Sequence, residues 1–530
     1  MLMDSAPSDL QFGSFSDTPP WLVDPSACIW RRGLDGVRAR TAAQAPVLAA
    51  RPRMPSISRS IAVVSRIGIA LAGWYIRDRG TDESRSGLSR RLRISFEHLG
   101  STFIKLGQIV SGGDGLFPTE LVTEFKLLRD RVPAETFRDV KAIVESELGQ
   151  PIDVVFAHFD TQPIAAASIA QVHAATLRTG EEVVVKVQRP AIGDRVRSDL
   201  GAMAWLAPFL IGRIPVAALA NPPALVDLFA ETIVEELDFR LEAENMLDIA
   251  AVLTRTGIRT TLVPRPHPTF VTRRVLVMER LHGYSFDDVE GMRDAGIDTS
   301  ALLRSGLISF LEGALLHGVF HGDLHGGNLF AMPDGRTGLL DFGITGRLDE
   351  NKRLAFLRLL VLGTTGDIRG QLSALRDLGA FPPDTNLDDV IKDLGLDGPV
   401  KDPTAMSADE LVGELREITK KLLGYGARAP KELMLFVKNM MFLDGATATL
   451  APDLDILGEI THIYSYFQRQ YGDRIASDLG LDPSTEMELD MNAVRAGMGL
   501  GEEWGDSLTY ADVRARREMI RKRMNDRRQR

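Results

Sequence analysis

A lysine lies inside an apolar, strand-like run of the sequence. Residues 181–188 read EEVVVKVQ, so Lys186 has valine on both sides. Because a buried ammonium group needs a charged or hydrogen-bonding partner, a strand made of this run must pack against an element that supplies one. The helical pattern of residues 223–254 contains Glu242, within EELDFRLEAENM. The alternative is a strand lysine whose side chain reaches solvent.

Length and composition indicate a globular chain with more than one packed unit. A chain of 530 residues with 44% hydrophobic residues is too long for one core. The net charge of −10 argues against a general nucleic-acid binder, which needs a basic surface. Cys28 is the single cysteine, which excludes a disulfide framework and fits a reducing compartment such as the cytoplasm. The first twenty residues lack the pattern of a secretory signal.

The most membrane-like segment is IAVVSRIGIALAGWYI at residues 61–76. It has sixteen residues and contains Arg66, whereas a spanning helix needs about 20 apolar residues. We therefore predict a helix that lies against protein or a membrane surface and does not span. The basic tail at 511–530 predicts a solvated helix or frayed end, with a weak membrane-surface or partner contact as the alternative.

The character of the sequence changes along the chain and indicates separate segments. Short β-rich runs follow residue 150, and Arg178-Thr179-Gly180 predicts a hairpin turn between two of them. TFVTRRVLVMER predicts a strand pair or one long strand, and the later chain is mainly helical. The predicted segments are a disordered N-terminus (1–55), a helical extension (56–150), a β-rich lobe (151–281), a helical lobe (282–478) and a charged tail (479–530).

The densest polar cluster is FHGDLHGGNLF at residues 320–330. His321, Asp323 and His325 alternate, so an extended backbone would direct all three to one side, as a three-ligand zinc site requires. The glycines within the run disfavour a regular strand, and no other Cys/His cluster offers a distant ligand. The alternative uses Asp323 and Asn328, which are five residues apart.

Asp323 and Asn328 form H-x-D-x-x-x-x-N, which resembles the catalytic loop of protein kinases. Asp341 follows after the apolar run TGLL and begins a DFG tripeptide, in the order that kinases require after Lys186 and Glu242. Carboxylate and amide oxygens suit Mg²⁺ bound to substrate phosphates, so Asn328 and Asp341 are the predicted metal ligands. Asp323 and Lys186 are then the predicted catalytic residues, and Asp323 orients or deprotonates a hydroxyl or water. The two histidines are structural supports.

The phosphate-binding loop is not of the P-loop class, because the sequence contains no GxxxxGK[ST] motif. PIAAAS at residues 163–168 lies where a protein kinase has its glycine-rich turn. Ala165, Ala166 and Ala167 permit close approach of the backbone to phosphate with fewer conformations than glycine, and Ser168 can add a hydroxyl group. The alternative is an alanine run that only fills space.

These features together resemble the UbiB/AarF family of atypical protein-kinase-like proteins, over about residues 90–350. KLGQ at 105–108 matches the KxGQ motif of the family, and Glu236-Leu237-Asp238 matches its ExD motif. The alanine-rich loop, FHGD at 320–323 and DFG at 341–343 complete the set. The resemblance is specific, because ordinary protein kinases lack the KxGQ, ExD and alanine-loop features.

The resemblance implies an α+β fold, namely a bilobal protein-kinase-like fold with an N-terminal helical extension and a mainly helical C-lobe. It implies ATP and Mg²⁺ as cofactors. Lys186 would contact the α- and β-phosphates, Glu242 would orient Lys186, and Met278 and Glu279 would form the adenine hinge.

The resemblance also implies a regulatory contact that occludes the position of a protein substrate. In it, Lys105 and Gln108 of the extension would meet Glu236 and Asp238. The chain departs from the family pattern where many relatives read HxDPHPGN, since Leu324 and Gly326 replace the two prolines. The segment after KLGQ is also richer in glycine, and the C-terminus is charged instead of hydrophobic.

The main functional hypothesis is an atypical kinase or ATPase that couples Mg-ATP to quinone or other isoprenoid-lipid metabolism. The partners it implies are nucleotide, a lipid or membrane surface, and proteins of a lipid-biosynthesis pathway. One alternative is a nucleotide-gated module that binds a lipid or partner with little turnover. The other is a conventional protein kinase, which the alanine loop and the KLGQ extension disfavour.

Overall fold

The structure, a computed structural model, describes residues 15–17, 20–50, 57–81, 84–111, 118–128, 133–210, 222–258, 260–365, 367–396, 417–418, 421–422, 424–428, 430–481, 489, 491, 494–495, 508–512 and 515. The glycine-rich segment after KLGQ and most of the basic tail lie outside these residues. The chain divides into two compact units. The first is Met1–Gly283, Asn328–Met332 and Gly338–Thr345, and the second is Tyr284–Gly327, Pro333–Thr337 and Gly346–Arg530.

The described helices are α1 (Leu34–Ala49), α2 (Ile57–Arg77), α3 (Ser84–Leu99), α4 (Ser101–Ser111), α5 (Thr119–Phe125), α6 (Phe137–Leu148), α7 (Ile152–Val155), α8 (Ile192–Leu210), α9 (Pro222–Glu235), α10 (Phe239–Thr256), α11 (Val289–Asp294), α12 (Thr299–Glu312), α13 (Glu350–Thr365), α14 (Ile368–Asp377), α15 (Leu387–Leu394), α16 (Lys431–Leu450) and α17 (Ile456–Leu479). The strands are β1 (Phe156–Phe159), β2 (Ala165–Ala166), β3 (Ala170–Leu177), β4 (Glu182–Gln188), β5 (Thr261–Leu262), β6 (Pro266–Val271), β7 (Val275–Glu279), β8 (Tyr284–Ser285), β9 (Val319–His321), β10 (Leu329–Ala331), β11 (Thr337–Leu339) and β12 (Thr345–Arg347).

The main sheet of the first unit has the strand order β1-β3-β4-β7-β6, and β2 pairs with β3. Its neighbouring strands are antiparallel, and the predicted hairpin joins β3 to β4. TFVTRRVLVMER forms the strand pair β6 and β7. Val183, Val185 and Val187 alternate along β4 and pack into a core with α6. Lys186 therefore projects from the opposite face of the sheet.

The structure differs from the predicted N-terminal disorder in residues 20–50, which include helix α1. Two tryptophans attach the preceding segment to the edge of the sheet at β6. Trp21 Nε1 donates to the carbonyl oxygen of Pro266 at 3.1 Å, and Trp30 Nε1 donates to that of His267 at 3.2 Å. Helix α1 then packs on α8 and α9. Tertiary contacts thus order a segment whose own sequence lacks a clear periodicity.

The helical pattern at 223–254 is two helices and not one, which corrects the prediction. Helix α9 ends at Glu235, and Asp238 begins α10 as its N-cap. The Asp238 carboxylate accepts the backbone N–H of Arg240 at 3.1 Å and thereby satisfies a donor at the start of the helix. The ExD tripeptide therefore lies at a break between two helices.

Helix α2 has two apolar faces. Val63, Ile67 and Ala70 are buried in a helical core shared with α3, α4, α8 and α9, whereas other apolar residues, among them Ile61 and Ile69, are exposed. The helix has 21 residues, so the argument that the run is too short to span does not hold. By length and composition alone, three described helical segments could cross a membrane: Ile57–Arg77, Thr299–His317 and Lys431–Leu450.

The second unit is mainly helical. Glu312, at the end of α12, is fully buried, and its Oε1 accepts the hydroxyl groups of Tyr466 and Tyr471 at 2.7 and 2.8 Å. These bonds give one oxygen of a buried carboxylate two donors and fasten α17 to α12.

Candidate active site

Lys186 is the centre of a charge cluster in the first unit. Its Nζ donates to Oε1 of Glu242 at 2.7 Å and to Oδ1 of Asp341 at 2.9 Å. The side chains of Lys186 and Glu242 are 12% and 3% exposed, whereas that of Asp341 is 41% exposed. Strand β4, helix α10 and the DFG segment therefore meet at one ammonium group.

Burial and the neighbouring charges shift the pKa values of Lys186 and Glu242. Burial and the nearby Asp341 carboxylate together raise the pKa of Glu242 to about 7, because they outweigh the lowering by Lys186. Burial alone would lower the pKa of Lys186, but the carboxylates of Asp341 and Glu242 outweigh burial and hold it above its usual value. When both carboxylates are ionised, one ammonium group leaves the cluster with an excess negative charge, which a further cation can neutralise.

The DFG segment has an unusual backbone that α10 holds in place. Asp341 has φ of 56°, in the left-handed region that non-glycine residues rarely adopt. Asn245, one turn after Glu242, donates from Nδ2 to the carbonyl oxygen of Phe342 at 2.8 Å, and the Phe342 side chain is fully buried. Such a conformation costs on the order of 1–3 kcal/mol and persists where surrounding contacts fix it, often at functional sites.

Asn328 and Asp341, the predicted metal ligands, are joined through the backbone. The N–H of Leu340 donates to the carbonyl oxygen of Asn328 at 2.9 Å, so the two side chains project from adjacent paired segments. One amide and one half-exposed carboxylate match the oxygen donors that Mg²⁺ takes from a protein when phosphates supply the others. Within the described residues, no group of three or more His, Cys, Asp or Glu side chains could hold a metal ion, which counts against the zinc interpretation.

The alanine loop lies between β1 and β3. Ala165 and Ala166 form β2, and the N–H of Ala167 donates to the carbonyl oxygen of Ala170 at 2.8 Å. Ser168 is buried. The loop is thus a short hairpin that pairs with β3. Strand β3 in turn forms a hairpin with β4, the strand that carries Lys186.

The predicted hinge residues Met278 and Glu279 end β7 and are both buried. The Glu279 carboxylate accepts the backbone N–H of Arg265 at 3.1 Å and its guanidinium group at 3.3 Å. Ser16 also donates to this carboxylate. The Glu279 side chain therefore has partners within the protein, and its backbone N–H donates to the carbonyl oxygen of Arg265 at 2.9 Å. An adenine contact at this residue would fall to its backbone carbonyl oxygen.

The KLGQ motif is on α4 in the first unit. Lys105 Nζ lies 3.0 Å from Oε1 of Glu236, and both side chains are 12% exposed. Gln108 follows one turn later on the same helix and is half-buried. Asp238 has a different partner from the one predicted, since it caps α10 and pairs with Arg240 at 2.7 Å.

At two glycines, segments of the first unit pack too closely to leave free space for a side chain. A Cβ at Gly343 would lie 3.3 Å from Cγ of Glu236, so the ExD glutamate packs against the DFG segment. A Cβ at Gly107 would clash with the Leu128 side chain and lie 3.4 Å from Phe125. The KLGQ glycine is therefore needed for α4 to lie against the residues of and after α5.

Asp323 belongs to the second unit. Two residues that contact its loop, Lys438 and Asn439, were not predicted from the sequence, and His321 was predicted only as a structural support. Lys438 forms an ion pair with its carboxylate. Asn439 bonds the backbone on both sides of Asp323, and His321 Nδ1 accepts the Asp323 N–H at 3.2 Å. The last contact agrees with a supporting role for His321. No local sequence signal marks Lys438 or Asn439, because they lie more than 110 residues further along the chain.

Comparison with known proteins decides the family. The ABC1 atypical kinase-like domain matches residues 127–373. An uncharacterized protein of Mycobacterium tuberculosis is 35% identical over 413 residues, which are 74% of this chain and 80% of that protein. An aarF domain-containing protein kinase of Arabidopsis thaliana, described as uncharacterized and chloroplastic, is 34% identical over 69% of this chain and 72% of its own. The probable protein kinase UbiB of Marinobacter nauticus is 31% identical over 74% of this chain and 71% of its own. This chain belongs to the UbiB/AarF family.

Membership of the UbiB/AarF family confirms the predicted fold class, since the chain is an α+β protein of an atypical kinase-like family. The family domain matched here contains Lys186, Glu242, Asp323, Asn328 and Asp341. The KLGQ motif precedes the matched residues and lies within the helical part of the first unit.

Proposed function

We propose that this UbiB/AarF protein is an atypical kinase or ATPase that binds Mg-ATP and acts in quinone or other isoprenoid-lipid metabolism. The contact of Lys186 with both Glu242 and Asp341 carries this proposal. It joins a strand lysine, a helix glutamate and the DFG aspartate, the arrangement that phosphoryl transfer uses to position phosphates.

Each residue has a distinct role in the proposal. Lys186 binds the α- and β-phosphates, and Glu242 orients Lys186. Asn328 and Asp341 hold the magnesium ion, which when bound neutralises phosphate charge. Asp323 orients or deprotonates the attacking hydroxyl or water. Because phosphoryl transfer asks little covalent chemistry of the protein, positioning and charge account for catalysis.

The alanine loop and the hinge complete the proposed nucleotide site. The backbone of Ala165, Ala166 and Ala167 approaches the phosphates, and the Ser168 hydroxyl follows them in the same loop. Met278 and the Glu279 backbone contact adenine. The exposed apolar face of α2 supports a lipid or membrane-surface partner for a cytoplasmic protein.

A second function, a nucleotide-gated binding module, is favoured by one specific observation. Glu236 pairs with Lys105 of the extension and also packs against the DFG glycine, Gly343. Nucleotide bound at the DFG segment could therefore shift the KLGQ helix and uncover a surface for a lipid or protein, without turnover.

The decisive experiment measures ATP hydrolysis by the purified chain with Mg²⁺, with and without anionic liposomes, beside Asp341→Asn. Turnover that rises with liposomes and is lost in Asp341→Asn supports a membrane-coupled phosphotransferase or ATPase. Tight Mg-nucleotide binding without turnover in either condition supports the gated module. Asp323→Asn separates the two further, because it lowers function to a small residual level only where turnover is required.

A further inference from the structure

Helix α16 contacts the Asp323 loop through two consecutive residues. Lys438 Nζ donates to Oδ1 of Asp323. The next residue, Asn439, is fully buried and bonds the loop backbone on both sides of Asp323. Its Nδ2 donates to the carbonyl oxygen of His321, and its Oδ1 accepts the N–H of Leu324 at 2.9 Å. One short helical segment therefore fixes both the backbone and the side chain of the loop.

Helix α16 is itself anchored beside the strand that leads into the loop. Phe436 stacks on Phe310 with ring centroids 5.2 Å apart, and it makes edge contacts with Phe356 at 4.7 Å and Phe320 at 6.1 Å. Phe320 lies on β9, immediately before His321. The loop and its support thus share one packed aromatic cluster, which limits the positions that the Lys438 ammonium group can take.

We propose that Lys438 is a positioning residue for Asp323, with Asn439 as the clamp that sets the loop backbone. This inference rests on the proposed phosphoryl transfer. In that reaction the acceptor oxygen forms a bond to the γ-phosphorus, the bond to the ADP oxygen breaks, and the acceptor proton passes to Asp323. The carboxylate must approach a strongly anionic phosphate group, and the Lys438 charge offsets the repulsion between them and directs the carboxylate.

A structural role for Lys438 predicts a different outcome. Its side chain is 22% exposed, and a lysine stem can contribute by packing alone. Lys438→Met keeps the stem and removes the charge, whereas Lys438→Arg keeps the charge. If packing is what matters, the methionine variant behaves like the wild type, and if charge matters, the arginine variant does.

The experiment measures kcat and nucleotide Kd for the full chain and its Lys438 variants, with Mg-ATP as the substrate. We expect Lys438→Met to lower kcat by about tenfold or more, with Kd changed by less than about twofold. Lys438→Arg should recover much of the lost kcat. In an Asp323→Asn background Lys438→Met should cause no further loss, because the lysine acts through the aspartate.

Two controls keep the result interpretable. Lys352→Met removes a lysine of α13 that pairs at 3.9 Å with Glu432 on α16, the helix that carries Lys438. This variant should leave kcat unchanged. Lys438→Gln replaces the methionine variant if urea unfolding measurements show that the methionine variant does not fold.

Two results overturn the role of Lys438 alone. One is a kcat of Lys438→Met within about twofold of the wild type, and the other is a loss caused by Lys438→Met in the Asp323→Asn background as large as its loss in the wild type. Wild-type turnover no greater than that of Asp341→Asn overturns the proposed function as well.

Discussion

The Nζ atom of Lys186 lies 2.7 Å from Oε1 of Glu242, and both side chains are nearly inaccessible to solvent. A pair so buried is stable only as long as both partners are present, since each alone would be an uncompensated charge. Asp341 adds a second carboxylate at 2.9 Å from the same ammonium group. The stability of the first unit is therefore linked to the groups proposed to bind nucleotide.

Loss of the lysine should destabilise the protein more than loss of the glutamate. Lys186→Met leaves two carboxylates without their cation, and we expect it to lower the free energy of unfolding by about 3 kcal/mol. Glu242→Gln leaves Asp341 to pair with the lysine and should cost less. The double variant should be more stable than the sum of the single effects predicts. Urea unfolding of the four proteins measures this coupling, and strict additivity would contradict it.

Glu242 should also make stability depend on pH in the absence of metal and nucleotide. Its pKa in the folded protein is about 7, above the ordinary value of 4.5 for a glutamate. The folded state therefore binds the extra proton, and the stability this contributes is present below pH 4.5 and is lost as pH rises to about 7. In EDTA, Tm should fall from pH 5 to pH 7.5 more steeply in the wild type than in Glu242→Gln. Equal slopes would show that Glu242 does not titrate in this range.

The glycine of KLGQ should be intolerant of even a methyl group. Gly107→Ala introduces a clash with the buried Leu128 side chain, and overpacking of this kind costs about 1–3 kcal/mol. Gly68 on α2 is the matched control, because a Cβ there meets nothing within 4 Å. Gly68→Ala should stabilise the helix by about 0.5–1 kcal/mol. Thermal unfolding of both variants tests the difference, and similar Tm shifts would refute it.

The Lys105 ion pair should restrain the extension against the ExD segment. Lys105→Ala removes the ion pair between the extension and Glu236, which itself packs on the DFG glycine. If this contact occludes a protein substrate, the variant should incorporate labelled phosphate from ATP into itself, whereas the wild type should not. Lys105→Arg keeps the charge and serves as the control. Absence of labelling in Lys105→Ala would count against occlusion by the extension.

Local patterns predicted the parts of the site that lie within one element or in short motifs. The valine run around Lys186 predicted a carboxylate partner, and Glu242 supplies it. The DFG and ExD motifs were recognised from the order of their residues alone. Lys438 could not be predicted, because its proximity to Asp323 depends on how α16 packs in the second unit. The helix break at Asp238 was missed for another reason, since the apolar spacing continues across it and only the capping carboxylate marks the new helix. The order of α1 likewise comes from contacts with α8 and α9.

The exposed apolar face of α2 should bind membrane surfaces. Ile61 and Ile69 are 61% and 66% exposed, whereas Val63 and Ile67 on the same helix are buried, so the exposed face can enter a lipid interface while the other stays packed. Replacing both exposed isoleucines with asparagine removes apolar contact worth well over 1.4 kcal/mol, which is about a tenfold change in partition. The partition onto anionic liposomes, measured by co-sedimentation, should therefore fall by more than about tenfold. Val154→Asn is the control, since Val154 is 56% exposed on a different helix of the same unit. If Val154→Asn lowers binding as much, or the α2 variant binds like the wild type, α2 is not the membrane contact.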